Sequence, residues 1–391
     1  MNNSAKKQHY VPQLLLKHFA IDERISVFDS ERNLVRHKRK YKEEFAENYF
    51  YGKDDPVEKF LSDQIETPAA TVINNFASQI IDHHQAPDPN LLKFLLVQFC
   101  RTPGGLSEAL NAIDKFSETI ILQLCNLNGF PQELASQVKV VPKDPKLLLK
   151  RLTVQAMLQW PLVKDLAQRL LINKTKVPFV LSDHPVVHYN WYLRESTNPS
   201  RTSLPAIGIQ IFLPISPTAT LCLYDKKIYK FKNHRSSITP VSNLDDINLL
   251  NRLQAMNREK MVVFSNEGQE GYVTALCKNN EPGSLHTSHG HATNPQAIQV
   301  DQLKSNLSVW REQASFKSWL SVVSIRTKAR AKQGVFCERS PKDVADHRVI
   351  MKLVDEDLRT RSHKSLKPRP LHGRVASAMI EPSPRPGIDP A

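Results

Sequence analysis

Pro178-Phe179-Val180-Leu181-Ser182-Asp183-His184-Pro185 decides the fold class, because here a block of helical periodicity gives way to short apolar runs bounded by proline, serine and aspartate. Downstream, Ile207 to Leu213, Thr220 to Tyr224, Met261 to Phe264 and Tyr272 to Ala275 read as further strands. Between them Asn243 caps one amphipathic helix, running to Glu259 with Ile247, Leu250 and Leu253 on its inner face. Upstream, Pro56 to Ile81 predicts a helix bent at Pro68, and Asp88 or Asn90 caps the next, whose stripe is Leu91, Leu92, Leu95 and Phe99. Arg101-Thr102-Pro103-Gly104-Gly105 stops that helix, and Leu106 to Cys125 and Asp144 to Asn173 continue the helical block, the latter kinked at Pro161. Nearer the N-terminus, Ile25 to Asp29 and Asn33 to His37 flank a polar turn as a hairpin would. The expected class is α+β: an N-terminal hairpin, a central helical bundle and a C-terminal, mostly antiparallel sheet, then a largely disordered basic tail.

A chain of 391 residues that is 40% hydrophobic can bury a real core, which excludes disorder of the whole. Mean hydropathy of -0.40 and the lack of any long apolar run exclude a spanning helix. Met1 to Lys7 lacks the apolar stretch of a signal peptide, so no membrane partner and a cytoplasmic location are expected. Cys100, Cys125, Cys222, Cys277 and Cys337 are widely spread with no pair at zinc or redox spacing, and read as reduced, mostly buried thiols. The net charge of +14 suits a nucleic-acid partner, since clustered Lys and Arg bind phosphate.

Residues 281–391 carry half of that charge, and the patterning changes after Glu281-Pro282-Gly283-Ser284. The expected division is a single domain over 1–280 and a basic, Ser/Pro/His-containing tail over 281–391. The tail holds a short amphipathic stretch around Leu307 to Val323, a basic run from Arg326 to Lys332 and a Pro-rich end from Lys367. Its alternative reading is an unselected extension.

Twelve glycines form neither a Walker loop nor a dinucleotide fingerprint, Ser182 lacks the glycines of a nucleophile elbow, and there is no His-Glu-x-x-His. What remains is a set of polar residues at the edges of apolar elements. Asp183, directly after a strand, could hold Mg²⁺ or Mn²⁺ or act as a base; alternatively it ties a turn through neighbouring N–H groups. Gln98 and Arg101 share a helix face and could grip an anion, or Arg101 could make a structural ion pair. Asp63 and Glu66, with Glu58 on the same helix, could serve a metal or form a solvated face. His9, beside Tyr10 and ahead of Pro12-Gln13, could be acid, base or ligand, or a core histidine held by a backbone carbonyl. His18 and His37 are lesser candidates. His83-His84 and the set His286, His289 and His291 lie in polar, turn-rich segments and read as surface residues.

The sequence His9-Tyr10-Val11-Pro12-Gln13, Arg101-Thr102-Pro103 at a helix end and Pro178-Phe179-x-x-Ser182-Asp183-x-Pro185 resembles an uncharacterised bacterial family, domain of unknown function 4238, across roughly residues 5 to 280. The resemblance implies a shared fold and a shared polar set, His9, Gln13, Arg101, Ser182 and Asp183, and brings no activity with it. Where that family commonly has a second aromatic in its opening helix, this chain has Leu14 and Leu15. The leading expectation is a metal-assisted phosphodiesterase or nuclease acting on nucleic acid. In it Asp183 and Glu66 bind Mg²⁺ or Mn²⁺, His9 is the acid or base, Gln13 is a further catalytic residue, Arg101 holds phosphate, and Tyr10, Gln98 and Ser182 contact substrate. The alternative is a non-catalytic module that binds nucleic acid or a protein, in an intracellular defence setting, with the polar set as an internal hydrogen-bond network.

Overall fold

The N-terminal strand β1 (Lys7–His9) leads into a short helix, α1 (Gln13–Leu16), that buries Leu15 and Leu16, and then into the expected hairpin, β2 (Arg24–Asp29) with β3 (Leu34–Lys40). The chain returns through β4 (Ala46–Asn48), antiparallel to β1. This is a computed structural model, describing residues 7–52, 56–81, 86–233, 236–292 and 307–362. It divides into two compact units, 1–337 and 338–391. His83-His84 and the Pro-rich end lie outside the described residues.

Helices follow. α2 (Val57–Leu61) and α3 (Thr67–Ala77) are joined by a π turn, Ser62–Glu66, which accommodates the missing N–H of Pro68 without breaking the run. In α4 (Pro89–Cys100) Asn90 N–H donates to the capping Asp88 at 2.7 Å, and Leu91, Leu92 and Leu95 are buried. Arg101-Thr102-Pro103 is a start as well as a stop: the Thr102 hydroxyl accepts from Gly105 N–H at 3.1 Å and caps α5 (Pro103–Asn128). Next come α6 (Leu134–Gln137) and α7 (Pro145–Leu158).

One expected helix ends early. Asp144 to Asn173 is not continuous: α7 stops at Leu158, Pro161 sits in a single 3₁₀ turn, and Ala167–Asn173 is a strand, β5. Leu170, Leu171 and Ile172 are all buried, so both faces of this strand are covered and its apolar run has no alternation to mark it.

After β5 come β6 (Leu181–Ser182), β7 (Val187–Tyr189), β8 (Gln210–Ser216), β9 (Ala219–Tyr224), β10 (Tyr229–Phe231) and β11 (Ile238–Val241). Five of the strands form one sheet, ordered β11-β5-β9-β8-β7, antiparallel except for β11 with β5. Asn243 caps α8 (Leu244–Asn257), which buries Ile247, Leu250 and Leu253, and β12 (Met261–Phe264) completes a second sheet, β3-β2-β12-β6. Tyr272 to Ala275 is helical rather than a strand, lying within α9 (Glu270–Lys278). An Asn266/Gln269 capping box starts the turn before it, and Val273 and Cys277, four apart, face inward.

The first unit does not stop at 280. β13 (His286–Ala292) and β14 (Leu307–Gln313) pair antiparallel, so the amphipathic stretch expected at Leu307 begins as a strand. β15 (Val323–Ile325) pairs with β10, and Trp319 stacks on Tyr189 and Trp191 at 4.6 and 5.4 Å between ring centroids. The basic run then forms α10 (Thr327–Arg330). The second unit contains α11 (Pro341–Ser362). Among the described residues no helix is long and apolar enough to cross a membrane, and Cys125, Cys222 and Cys277 are buried free thiols.

Candidate functional site

β1 delivers the N-terminal motif to the end of α4, where seven of the sequence candidates meet. The buried Arg101 places Nη1 2.7 Å from Glu66 Oε1, and its Nε donates to the Tyr10 carbonyl at 3.3 Å. Gln98 Nε2 donates to that same carbonyl at 2.9 Å. His9 Nε2 is 3.1 Å from the Lys42 carbonyl and 3.4 Å from Gln13 Nε2, and the His9 N–H donates to Glu58 Oε1 at 3.3 Å. Burial pushes the His9 imidazole below and the Glu58 carboxyl above their ordinary values. In this cluster Arg101 spends its donors on a carboxylate and main-chain carbonyls, the arrangement of a structural ion pair.

Asp183 and Ser182 face a different element. The Asp183 carboxylate accepts from three successive backbone N–H groups, Glu259 and Lys260 at 2.8 Å and Met261 at 2.9 Å, and so staples the end of β6 to the turn entering β12. Burial still pushes its carboxyl up against the pull of those N–H groups. The Ser182 N–H and hydroxyl both donate to Gln254 Oε1 of α8, each at 3.0 Å. Asp183 therefore ties a turn, but one distant in sequence and not the turn of its own neighbours that the local reading expects. Among the described residues no three His, Cys, Asp or Glu side chains gather as one group, and Asp183 and Glu66 are bonded to different partners, the backbone of Glu259 to Met261 and the Arg101 guanidinium.

Titratable groups instead converge on a small cleft at the start of α5. The Thr102 hydroxyl that caps α5 also bonds His184 Nδ1 at 2.6 Å, leaving His184 Nε2 3.8 Å from Glu108 Oε1. The fit is close: a Cβ on Gly104 would lie 2.8 Å from the His184 ring. From β13, His286 Nδ1 reaches 3.8 Å from the same Glu108 oxygen, and from β14 the Arg311 guanidinium pairs with Glu108. His188 stacks on Phe99 at 4.1 Å, and the Arg311 guanidinium lies over the same ring at 5.1 Å. Glu259 and Asn257 close the far wall of the cleft.

The electrostatics of the cleft separate its groups. Burial pushes Glu108 up, but Arg311, then His184 and His286, outweigh it and hold the carboxyl well below the usual range, ionised. Burial, with Arg311 beside it, takes His286 down to about 3, so it is neutral at physiological pH. His188 goes the same way for the same two reasons. Glu259 moves in the opposite direction, up, through burial and then the Asp183 carboxylate. The ring nitrogens of His188 and His286 and Nε2 of His184 make no full hydrogen bond, which is uncommon for buried polar atoms.

Sequence reasoning missed this set. His184 lies inside the strand-end motif, directly after Ser182 and Asp183, and that position is the available signal. His286 was expected on the surface, yet its side chain is only 2% exposed because β13 seats it against α5. His289, on the outer side of β13, is 41% exposed, and the side chain of His291 lies outside the described residues.

A family model described as "Protein of unknown function (DUF4238)" matches residues 7–268, more than half of the chain. That span contains Thr102, Glu108, His184 and Glu259 and ends before His286 and Arg311. No curated protein and no solved structure matches the chain.

Proposed function

The chain belongs to the DUF4238 family, and from the geometry of the cleft we propose that it is a phosphodiesterase acting on nucleic acid by acid–base chemistry without a metal. The observation that carries this reading is the opposed pair within one cleft: neutral His286 and a carboxyl, Glu259, pushed up by burial. The neutral imidazole has a lone pair free to accept a proton, and the raised carboxyl keeps its proton to higher pH than an ordinary one, which assigns base and acid. His286 takes the proton from the attacking hydroxyl, Glu259 gives one to the leaving oxygen, and Arg311 stabilises charge growing on the phosphoryl oxygens. Glu108 orients Arg311, and Thr102 fixes the position of His184, since a hydroxyl at 2.6 Å from Nδ1 pins the ring. The net charge of +14 supports a polyanionic substrate, and the cytoplasm is the compartment proposed for it.

The test is cleavage of labelled RNA, single-stranded DNA and duplex DNA by the full chain in EDTA. Cleavage persists, falls on the alkaline side as Glu259 loses its proton, and drops by about 10²-fold or more in Glu259→Gln and His286→Gln. Metal-dependent cutting, or cutting unchanged in both variants, overturns the assignment. The non-catalytic alternative is favoured only by the N-terminal cluster, where Arg101 is spent internally. Retention of probe with no cutting would be its signature.

A further inference from the structure

The hairpin of β2 and β3 carries, with the start of α9, a second linked set of groups that shares no residue with the cleft and is independent of the reading above. Ser26 Oγ on β2 is 2.9 Å from His37 Nδ1 on β3, and His37 Nε2 is 2.9 Å from Glu270 Oε2, the first residue of α9. In the neutral tautomer whose Nε2–H donates to the Glu270 carboxylate oxygen, Nδ1 presents its lone pair. The Ser26 hydroxyl therefore donates to the imidazole. This is the hydroxyl–imidazole–carboxylate relay of a serine nucleophile, with the two ring nitrogens exchanged relative to the usual order.

Local backbone geometry explains why it forms. The β2–β3 register shifts between Ile25 and Val27, and Lys38 beside it has φ 53°, so the bulge turns His37 across the strand toward Ser26. Ser26 lines an open groove of about 490 Å³ whose wall includes Ile21, 56% exposed. Ser265 lines the same groove, and its hydroxyl is buried without a partner. The absence of a glycine-flanked serine in the sequence does not bear on this site, because such a relay is defined by geometry rather than by a strand-to-helix elbow.

We propose that Ser26, His37 and Glu270 form a serine-esterase site for small carboxylic esters. Ser26 Oγ bonds to the ester carbonyl carbon as its proton passes to His37 Nδ1, and the carbonyl electron pair moves to oxygen, where the free Ser265 hydroxyl donates. The bond from carbon to the alkoxy oxygen then breaks, and the alcohol leaves with the proton from His37. Water adds to the acyl-Ser26 carbon, giving a proton to His37. Ser26 Oγ departs and takes that proton back, releasing the carboxylic acid. Glu270 holds the imidazole tautomer throughout.

The experiment is labelling of the full chain with an alkyl fluorophosphonate, mapped by peptide mass spectrometry, alongside p-nitrophenyl acetate hydrolysis. Wild type carries the adduct on Ser26. Ser26→Ala and His37→Gln abolish both adduct and hydrolysis, and Glu270→Gln slows acylation by about tenfold or more. RNA cleavage is unchanged in all three, since none lines the cleft at α5. Wild-type protein with a native circular-dichroism spectrum and no adduct on Ser26 overturns the proposal, and so does labelling that is equally fast in a folded His37→Gln. Mapping on wild type needs no variant to fold.

Discussion

Arg101 has its guanidinium 1% exposed, with Glu66 Oε1 at 2.7 Å and the Tyr10 carbonyl as a second acceptor. Removing one partner of a buried pair costs more than the pair contributes, because the other charge is left without compensation. Glu66, at 25% exposure, is partly relieved by water, so Arg101→Met is expected at the low end, about 3 kcal/mol, in urea unfolding. Cleavage per folded molecule should stay near wild type. A loss of kcat beyond the loss of folded protein would return Arg101 to a substrate-binding role. Asp183 makes the same argument with the opposite charge. Asp183→Ala strips three backbone N–H groups of their acceptor and should destabilise by at least about 3 kcal/mol, at roughly 1 kcal/mol or more for each orphaned donor. A change below about 1 kcal/mol by the same assay would mean the staple is not formed in solution.

At the scale of elements, the cleft depends on how closely the β13–β14 hairpin approaches α5. Gly290 makes that approach possible: a Cβ there would lie 2.2 Å from Thr119 Oγ1 and 2.8 Å from the Lys115 carbonyl. Gly290→Ala should therefore lift the hairpin, cost about 1–3 kcal/mol and reduce RNA cleavage as strongly as Arg311→Ala, because His286 and Arg311 travel with it. Adding Thr119→Ala removes the nearer clash and leaves the backbone one, so rescue should be partial; full activity in Gly290→Ala alone would detach the hairpin from the site. Elements with local signals were readable in the sequence. The β2–β3 hairpin has its turn, α4 and α8 have Asp88 and Asn243 as caps, and their apolar stripes recur at helical spacing. β5 was not readable, since burial of both faces erases the alternation. The site divides along the same line. Asp183 was visible as a carboxylate after a strand, but its role depends on N–H groups 76 to 78 residues away. Glu108 meets Arg311 across 203 residues, and no local pattern encodes that meeting.

Across the whole molecule, burying imidazoles in their neutral form couples the fold to acid. Burial holds the folded His286 imidazole down to about 3, against about 6.5 for a free histidine side chain. Between those values the unfolded chain binds a proton that the folded chain refuses, so stability falls as pH drops below about 6.5. The slope is up to about 1.4 kcal/mol per pH unit for this residue, and His188 adds a term of the same sign. Asp183, Glu58 and Glu259 are shifted up and work in the opposite sense, favouring the folded state as they take up protons. A simple acid-unfolding curve would mix all of these. The difference between wild type and His286→Gln separates one, because the other groups are common to both proteins and glutamine does not titrate. In urea unfolding at pH 7.5, 6.5, 5.5 and 4.5, the stability lost in His286→Gln should be constant above about 6.5 and then shrink by about 1.4 kcal/mol with each unit of acid. A difference that stays flat down to pH 4.5 would mean that His286 takes up its proton alike in the folded and unfolded chains, which would remove the buried neutral imidazole on which the base assignment rests.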